Sequence, residues 1–368
     1  MSKPIQTDLK PLKLGKHEAR LPIIQGGMGI KVSGARLAGA VAKEGAVGVI
    51  ASVALGLSSP YYKKKSDYFS ANKLALRDEI ETARKTAPNG VIGVNCMVAI
   101  TDHEAMSRTA AENGADLIIS GAGLPLNLPA YTRDYPDCAL LPIVSTAKAA
   151  RVLCRRWSHV HNRLPDALVV ENPNTAGGHL GTKREDLGNP AYNLETVVPE
   201  IIAYLAEEGY DIPVIPAGGI WDRSDIDRMI ACGASGVQMA TRFVCTDECD
   251  ADDAFKKLFL NRVPSDVVIV DSPAGLPGRA VSSPFVTHLH AGDEVHTQCF
   301  ANCLRKCLCR DDKETFCIAY ALDQAQQGNT EEGLFFTGSN LARSKRIVPV
   351  RDLLTELCGV APVPAATG

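Results

Sequence analysis

The sequence predicts a (β/α)8 barrel with a Cys-rich, mainly helical C-terminal extension. Three observations carry this: eight short apolar runs alternate with amphipathic helical stretches, glycines gather at the ends of those runs, and five cysteines fall within nineteen residues near the C-terminus. The strand runs are Pro22 to Gln25, Ala46 to Ser52, Val91 to Cys96, Asp116 to Ser120, Leu140 to Ser145, Ala167 to Glu171, Pro213 to Ala217 and Gly236 to Ala240. Helical periodicity fills the intervals at Gly34 to Lys43, Lys73 to Thr86, His103 to Asn113, Lys148 to Trp157, Thr196 to Glu208 and Ser224 to Cys232, several of them followed by a capping glycine. Parallel strands joined by crossover helices close most simply into a barrel, with a doubly wound open sheet as the alternative. Residues 1–290 are assigned to the barrel with its inserted loops, and 291–368 to the extension packed on it.

Composition narrows the function classes. With 368 residues, 45% hydrophobic and 22% charged, the chain can bury a large core. A net charge of -3 offers no polybasic field for nucleic acid or anionic lipid, and no apolar run reaches the roughly 18 residues of a membrane span. Met1 to Leu21 lacks the apolar centre of a secretory signal, so the expectation is a cytoplasmic protein whose twelve cysteines stay reduced.

In a barrel of this kind chemistry collects at the C-terminal ends of the strands. There the sequence places Gln25-Gly-Gly-Met-Gly29, Asn95-Cys-Met97, Ser120-Gly-Ala-Gly123, Ala217-Gly-Gly219 and Gln238-Met-Ala-Thr241. Glycines let a planar ligand approach the backbone where a Cβ would hold it off, and Gly-Gly after strand seven with Ala-Thr after strand eight supply amides for a phosphate. After strand six comes Asn174-Thr-Ala-Gly-Gly-His179-Leu-Gly181, a glycine-rich turn that presents one imidazole at the mouth of the fold. His179 is the candidate catalytic residue; its other reading is a histidine that only bonds a loop carbonyl.

Pro22-Ile-Ile-Gln-Gly-Gly-Met-Gly29, Gly93-Val-Asn95, Ala176-Gly-Gly-His179-Leu-Gly181, Ile215-Pro-Ala-Gly-Gly-Ile220 and Gly236-Val-Gln-Met-Ala-Thr241 together resemble the nitronate monooxygenase family. That family is also called 2-nitropropane dioxygenase-like, and it includes the FabK-type FMN-dependent enoyl-acyl-carrier-protein reductase. The likeness covers roughly residues 15 to 290, and Ser272-Pro-Ala-Gly-Leu-Pro-Gly-Arg279 extends it. It implies a TIM-barrel flavoprotein with non-covalent FMN, its phosphate near Gly218, Gly219, Ala240 and Thr241. Gly27, Met28, Asn95, Gly178 and Gln238 would then surround the ring and ribityl chain. By the same resemblance His179 holds or deprotonates a nitro substrate, or supports proton delivery in a reductase.

One feature departs from the family's familiar members: Cys299-x3-Cys303-x3-Cys307-x-Cys309-x7-Cys317. Thiolates are soft ligands, and three close cysteines with a fourth about ten residues on suit a [4Fe-4S] cluster. The expected ligands are Cys299, Cys303, Cys307 and Cys317, with Cys309 as substitute or bystander and zinc as the alternative to the cluster. A similar four-cysteine cluster follows the FMN barrel of dienoyl-CoA reductase-like enzymes, where it relays electrons. Cysteines at i, i+4 and i+8 also line one helical face as small buried apolar side chains, and that reading stays open.

Two further segments are quieter. Lys63-Lys-Lys65 offers charge for a phosphate but reads more simply as a solvated run, and Asp247 to Asp253 reads as a cap for a helix at Ala254 to Leu260. The expected function is oxidation of a nitronate or related carbanion by an FMN oxidoreductase. The alternatives are an FMN and [4Fe-4S] reductase of an enoyl thioester and a non-redox barrel binding a phosphorylated ligand. Partners are a small-molecule substrate and an electron donor, NAD(P)H or a ferredoxin. The oligomeric state is open, a homodimer among the options.

Overall fold

In the computed structural model, residues 3–313 and 315–359 are described, so 360–368 of the expected extension lie outside the described residues. Eight parallel strands close into a barrel: β1 Ile23–Gln25, β2 Val47–Ala51, β3 Val91–Asn95, β4 Leu117–Ser120, β5 Ala139–Val144, β6 Leu168–Glu171, β7 Val214–Ala217 and β8 Val237–Met239. All eight strand runs expected from sequence are present, and β8 pairs back onto β1 through Val237 to Met239 opposite Ile23 to Gln25, which excludes the open sheet. Six crossover helices, among them Ala35–Lys43, Tyr68–Thr86 and Ala147–His161, overlap the six expected helical stretches.

Alternation along each strand builds two apolar layers. Ile24, Val47, Val49, Leu117, Ile119, Leu141, Val169 and Ile215 fill the barrel interior. Their neighbours Ile23, Ile50, Ile92, Ile118, Leu140 and Leu168 pack outward against helix residues such as Leu37, Val41, Leu153 and Trp157. A hairpin of Leu12–Leu14 and His17–Ala19, not anticipated from sequence, sends Leu12, Leu14 and Ala19 into the interior layer and plugs the end where the strands begin.

The chain after β8 builds over the other end. Val267–Asp271 and Pro277–Val281 form an antiparallel hairpin, and the Pro277–Val281 strand also pairs with Gly178–His179. Helix Pro284–Ala291 spans the expected boundary at residue 290. The Cys-rich stretch then lies on the loop after β3, where Thr101 N donates to Cys303 O at 2.9 Å and Arg305 N to Ala99 O at 2.9 Å. The closing helix Val350–Cys358 returns to the barrel's outer layer, burying Val350, Leu353, Leu354 and Leu357 beside Leu37 and Val41.

The acidic run near residue 250 acts as caps. Asp252 accepts from Ala254 N at 2.7 Å at the start of helix Asp253–Leu258. Asp250 caps a different helix, accepting from the amides of Gly34, Arg36 and Leu37. Among the described residues no helix is long and apolar enough to cross a membrane.

Candidate active site

One cavity opens at the C-terminal ends of the strands, and all ten residues expected to act or to hold FMN line it. These are Gly27, Met28, Asn95, Gly178, His179, Gly218, Gly219, Gln238, Ala240 and Thr241. Its floor is glycine because neighbours come too close for a side chain. A Cβ on Gly27 would stand 2.4 Å from that of Asn95, and one on Gly177 would stand 2.5 Å from the backbone of Thr337. Gly218 and Gly219 have φ of +93° and +79°, the left-handed region that L side chains rarely enter.

Two buried polar atoms in this wall, Gln238 Oε1 and Thr175 Oγ1, have no partner among the described residues. A buried group left unpaired is costly, so a site with two of them is shaped for a polar ligand. The glycine shelf suits a flat ring and the orphaned groups suit a ligand rich in hydrogen-bonding atoms. The residues present therefore fit FMN.

His179 is placed by the Gly178–His179 strand, whose partners across the ladder are Arg279 and Gly278. Its Nε2 lies 2.7 Å from Ser272 Oγ, and its ring meets Phe336 edge-on with centroids 5.2 Å apart. Burial pushes the imidazole down to about 4, so it is neutral across the physiological range. The bond of His179 Nε2 goes to a hydroxyl and not to a loop carbonyl, and the ring lines the cavity.

Several cavity residues were not anticipated. Glu171, at the end of β6, lines the cavity, and burial pushes its carboxyl up to about 7 against the pull of Arg279. The segment Thr337–Asn340 ties the strand-end loops together. Gly338 N donates to Thr241 Oγ1 at 3.0 Å, Ser339 N to Thr175 O at 3.0 Å, and Asn340 Nδ2 to Gly219 O at 2.7 Å. Only the glycines around residue 333 hinted at it in the sequence.

The cysteine expectation finds no support in the structure. Among the described residues no group of three or more His, Cys, Asp or Glu, Cys299, Cys303, Cys307 and Cys317 included, is arranged to hold a metal ion. Cys303, Cys307, Cys309 and Cys317 are buried in an apolar cluster with Phe285, Val286, Leu304, Phe316 and Ile318. Burial raises the thiols of Cys303 and Cys317 and pushes Cys309 up to about 12, and the neighbouring cysteines add to the rise. The cysteine spacing also does not trace a helical face, because among the described residues the only helix within this stretch is Leu308–Asp311. Lys65, from the lysine run, donates its Nζ to Cys299 O at 2.9 Å and so braces this segment.

The nitronate monooxygenase family model matches residues 10–359. The chain belongs to this family. It is 27% identical over 287 residues to the (3aS,4S,5R,7aS)-5-hydroxy-7a-methyl-1-oxo-octahydro-1H-indene-4-carboxyl-CoA dehydrogenase of Mycobacterium tuberculosis, covering 77% of this chain and 69% of that protein. A probable nitronate monooxygenase of Staphylococcus aureus is 26% identical over 299 residues, 73% of this chain and 77% of the relative. Among solved structures, FabK from Thermotoga maritima superposes with a TM-score of 0.68 at 23% identity, covering 92% of both chains. Nitroalkane oxidase from Streptomyces ansochromogenes does so with a TM-score of 0.66 at 20% identity, covering 92% of this chain and 94% of the other. At these identities the structural likeness speaks for the barrel, and the family makes the chain an oxidoreductase of the FMN type.

Proposed function

We propose that this enzyme oxidises a substrate whose negative charge is delocalised onto oxygen, a nitronate or a related carbanion, with His179 against the reacting group. FMN, when bound, takes the electron pair. The chain's own residues do the rest. Gly27, Gly178, Gly218 and Gly219 leave room for the ring, Gln238 and Thr175 offer it polar atoms, and Ala240 and Thr241 stand beside Gly219 for the phosphate. The observation that carries the reading is a neutral imidazole on the wall of the glycine-lined cavity. A substrate that arrives already ionised needs a partner for its oxygen more than it needs a base.

A second reading, reduction of an enoyl thioester with NAD(P)H or a ferredoxin as donor, draws support from the other flank of the cavity. Ile30, Val53, Leu304, Ile318, Leu322 and Leu334 make an apolar wall with room for an acyl chain. The Mycobacterium tuberculosis relative is a carboxyl-CoA dehydrogenase, an enzyme of a CoA ester. Anaerobic mixing of the FMN-loaded enzyme separates the two. The first reading expects bleaching of the flavin by a nitronate alone, slowed about 100-fold or more in His179→Ala. Bleaching only by NAD(P)H or reduced ferredoxin, with colour restored by an enoyl thioester, would establish the second.

A further inference from the structure

We propose that Ser272 is a positioning residue that fixes His179 as the Nδ1–H tautomer, so that the imidazole meets the substrate as a hydrogen-bond donor and not as a base. The inference rests on the reading of His179 as the substrate-facing group, and it assigns the polarity that this reading leaves open.

The protons around one oxygen decide the tautomer. Ser272 sits at the tip of the hairpin between Val267–Asp271 and Pro277–Val281, where Ser272 N donates to Leu276 O at 3.1 Å and Gly275 N to Ser272 O at 2.9 Å. Gly275, at φ +75°, lets this tight turn close. The turn also aims Ala274 N at Ser272 Oγ, 3.2 Å away, so the hydroxyl already accepts a proton from the backbone. Ser272 is 2% exposed, and among the described residues the only other partner of Oγ is His179 Nε2 at 2.7 Å.

A serine hydroxyl carries one proton to donate. If His179 Nε2 also donated to Oγ, the serine proton would be left buried without an acceptor, which burial penalises. If Nε2 accepts instead, every group is satisfied and the imidazole proton stands on Nδ1. Ser272 does not line the cavity and His179 does, so the hydroxyl holds the ring from behind. Nδ1 takes no partner among the described residues and is the nitrogen left for the ligand. Burial, which keeps the ring neutral, leaves that nitrogen with one proton to share and no lone pair to accept another. Proton abstraction at carbon then falls outside what His179 does: the N–H remains intact, and the imidazole bonds the developing or preformed oxyanion.

The test reads the tautomer directly. The full-length FMN-loaded protein, labelled with 15N-histidine, is compared with His179→Asn to assign the His179 resonances. The expected spectrum shows a protonated-type shift on Nδ1 and an unprotonated-type shift on Nε2. In Ser272→Ala the two shifts move toward each other as the second tautomer is populated, kcat with a nitronate falls about tenfold, and Ser272→Thr restores both. A proton on Nε2 in the unaltered protein would overturn the proposal, and so would an unchanged tautomer in Ser272→Ala. Should Ser272→Ala fail to fold, the spectrum of the unaltered protein still decides. Because the spectrum needs no substrate, a wrong substrate class would leave this result standing.

Discussion

Arg279 donates from Nη1 to the carbonyl oxygen of Ala176, three residues before His179. From Nη2 it also reaches the carbonyls of Pro173 at 3.2 Å and Asn174 at 3.0 Å, so one buried guanidinium gathers the glycine-rich loop. Arg279 pairs with Gly178 in the ladder as well, which couples the loop's shape to the strand that carries His179. Lysine cannot reproduce this fork, because it is a point charge with no fixed geometry. Arg279→Lys should lower stability by about 2 kcal/mol and loosen flavin binding, measured by urea unfolding and FMN titration. Unchanged FMN affinity would separate the loop from the flavin site.

Glycine at 218 is required twice over. Its φ of +93° strains any L side chain, and a Cβ there would lie 3.0 Å from Asn172 O and 3.1 Å from Ala176 N. Gly188 supplies the control, with a similar φ of +88° and nothing within 4 Å of a built Cβ. Gly188→Ala should show backbone strain alone, about 1 kcal/mol. Gly218→Ala should exceed it by about 1–2 kcal/mol and lose FMN on gel filtration, while the Gly188 variant retains it. Equal effects on melting and FMN retention would mean that the close backbone approach at 218 does not matter.

The barrel was legible because its signals are local. Fully buried parallel strands give unbroken apolar runs, their helices give a clean 3.6 period, and the glycines at strand ends mark the mouth. What was missed depends on pairing across long separations. Ser272 lies 93 residues from His179 and Arg279 lies 103 from Ala176, and no spacing rule joins them. The hairpin that carries both has Pro277 and Gly278 in its second strand, residues that weaken a strand reading. The cysteine spacing resembles that of cluster ligands, but spacing alone does not fix where thiols stand in a segment that is mostly irregular, and their burial in an apolar cluster could not be read from it.

Two histidines are held neutral by burial, and their effect on stability has a definite sign. His103, 2% exposed with its Nε2 3.0 Å from Ser120 Oγ, is pushed down to about 4, as His179 is. Each folded value lies below the ordinary 6.5, so their contribution is full above pH 6.5 and is lost as pH falls toward 4. His103 alone should account for about 3 kcal/mol across that window. Urea midpoints between pH 4 and 7 should fall with acidity, and His103→Gln should flatten the slope. A slope unchanged in that variant would assign the acid sensitivity to other groups.

Cys303 joins the cavity at the strand ends to the apolar cluster that holds Cys307, Cys309 and Cys317. Raised by burial and by the neighbouring Cys317, Cys307 and Cys299, its thiol stays protonated, and a protonated thiol is a small apolar side chain. Packing is then its contribution. Cys303→Ala should cost roughly 1 kcal/mol, leave the flavin absorption bands in place, and change no iron or sulfide content. The measurement joins an absorption spectrum of anaerobically purified protein to iron, sulfide and FMN quantitation, before and after the substitution. Four iron and four sulfide per chain, lost in Cys303→Ala, would instead mean that the thiols rearrange around a [4Fe-4S] cluster and would turn the search toward reductive substrates.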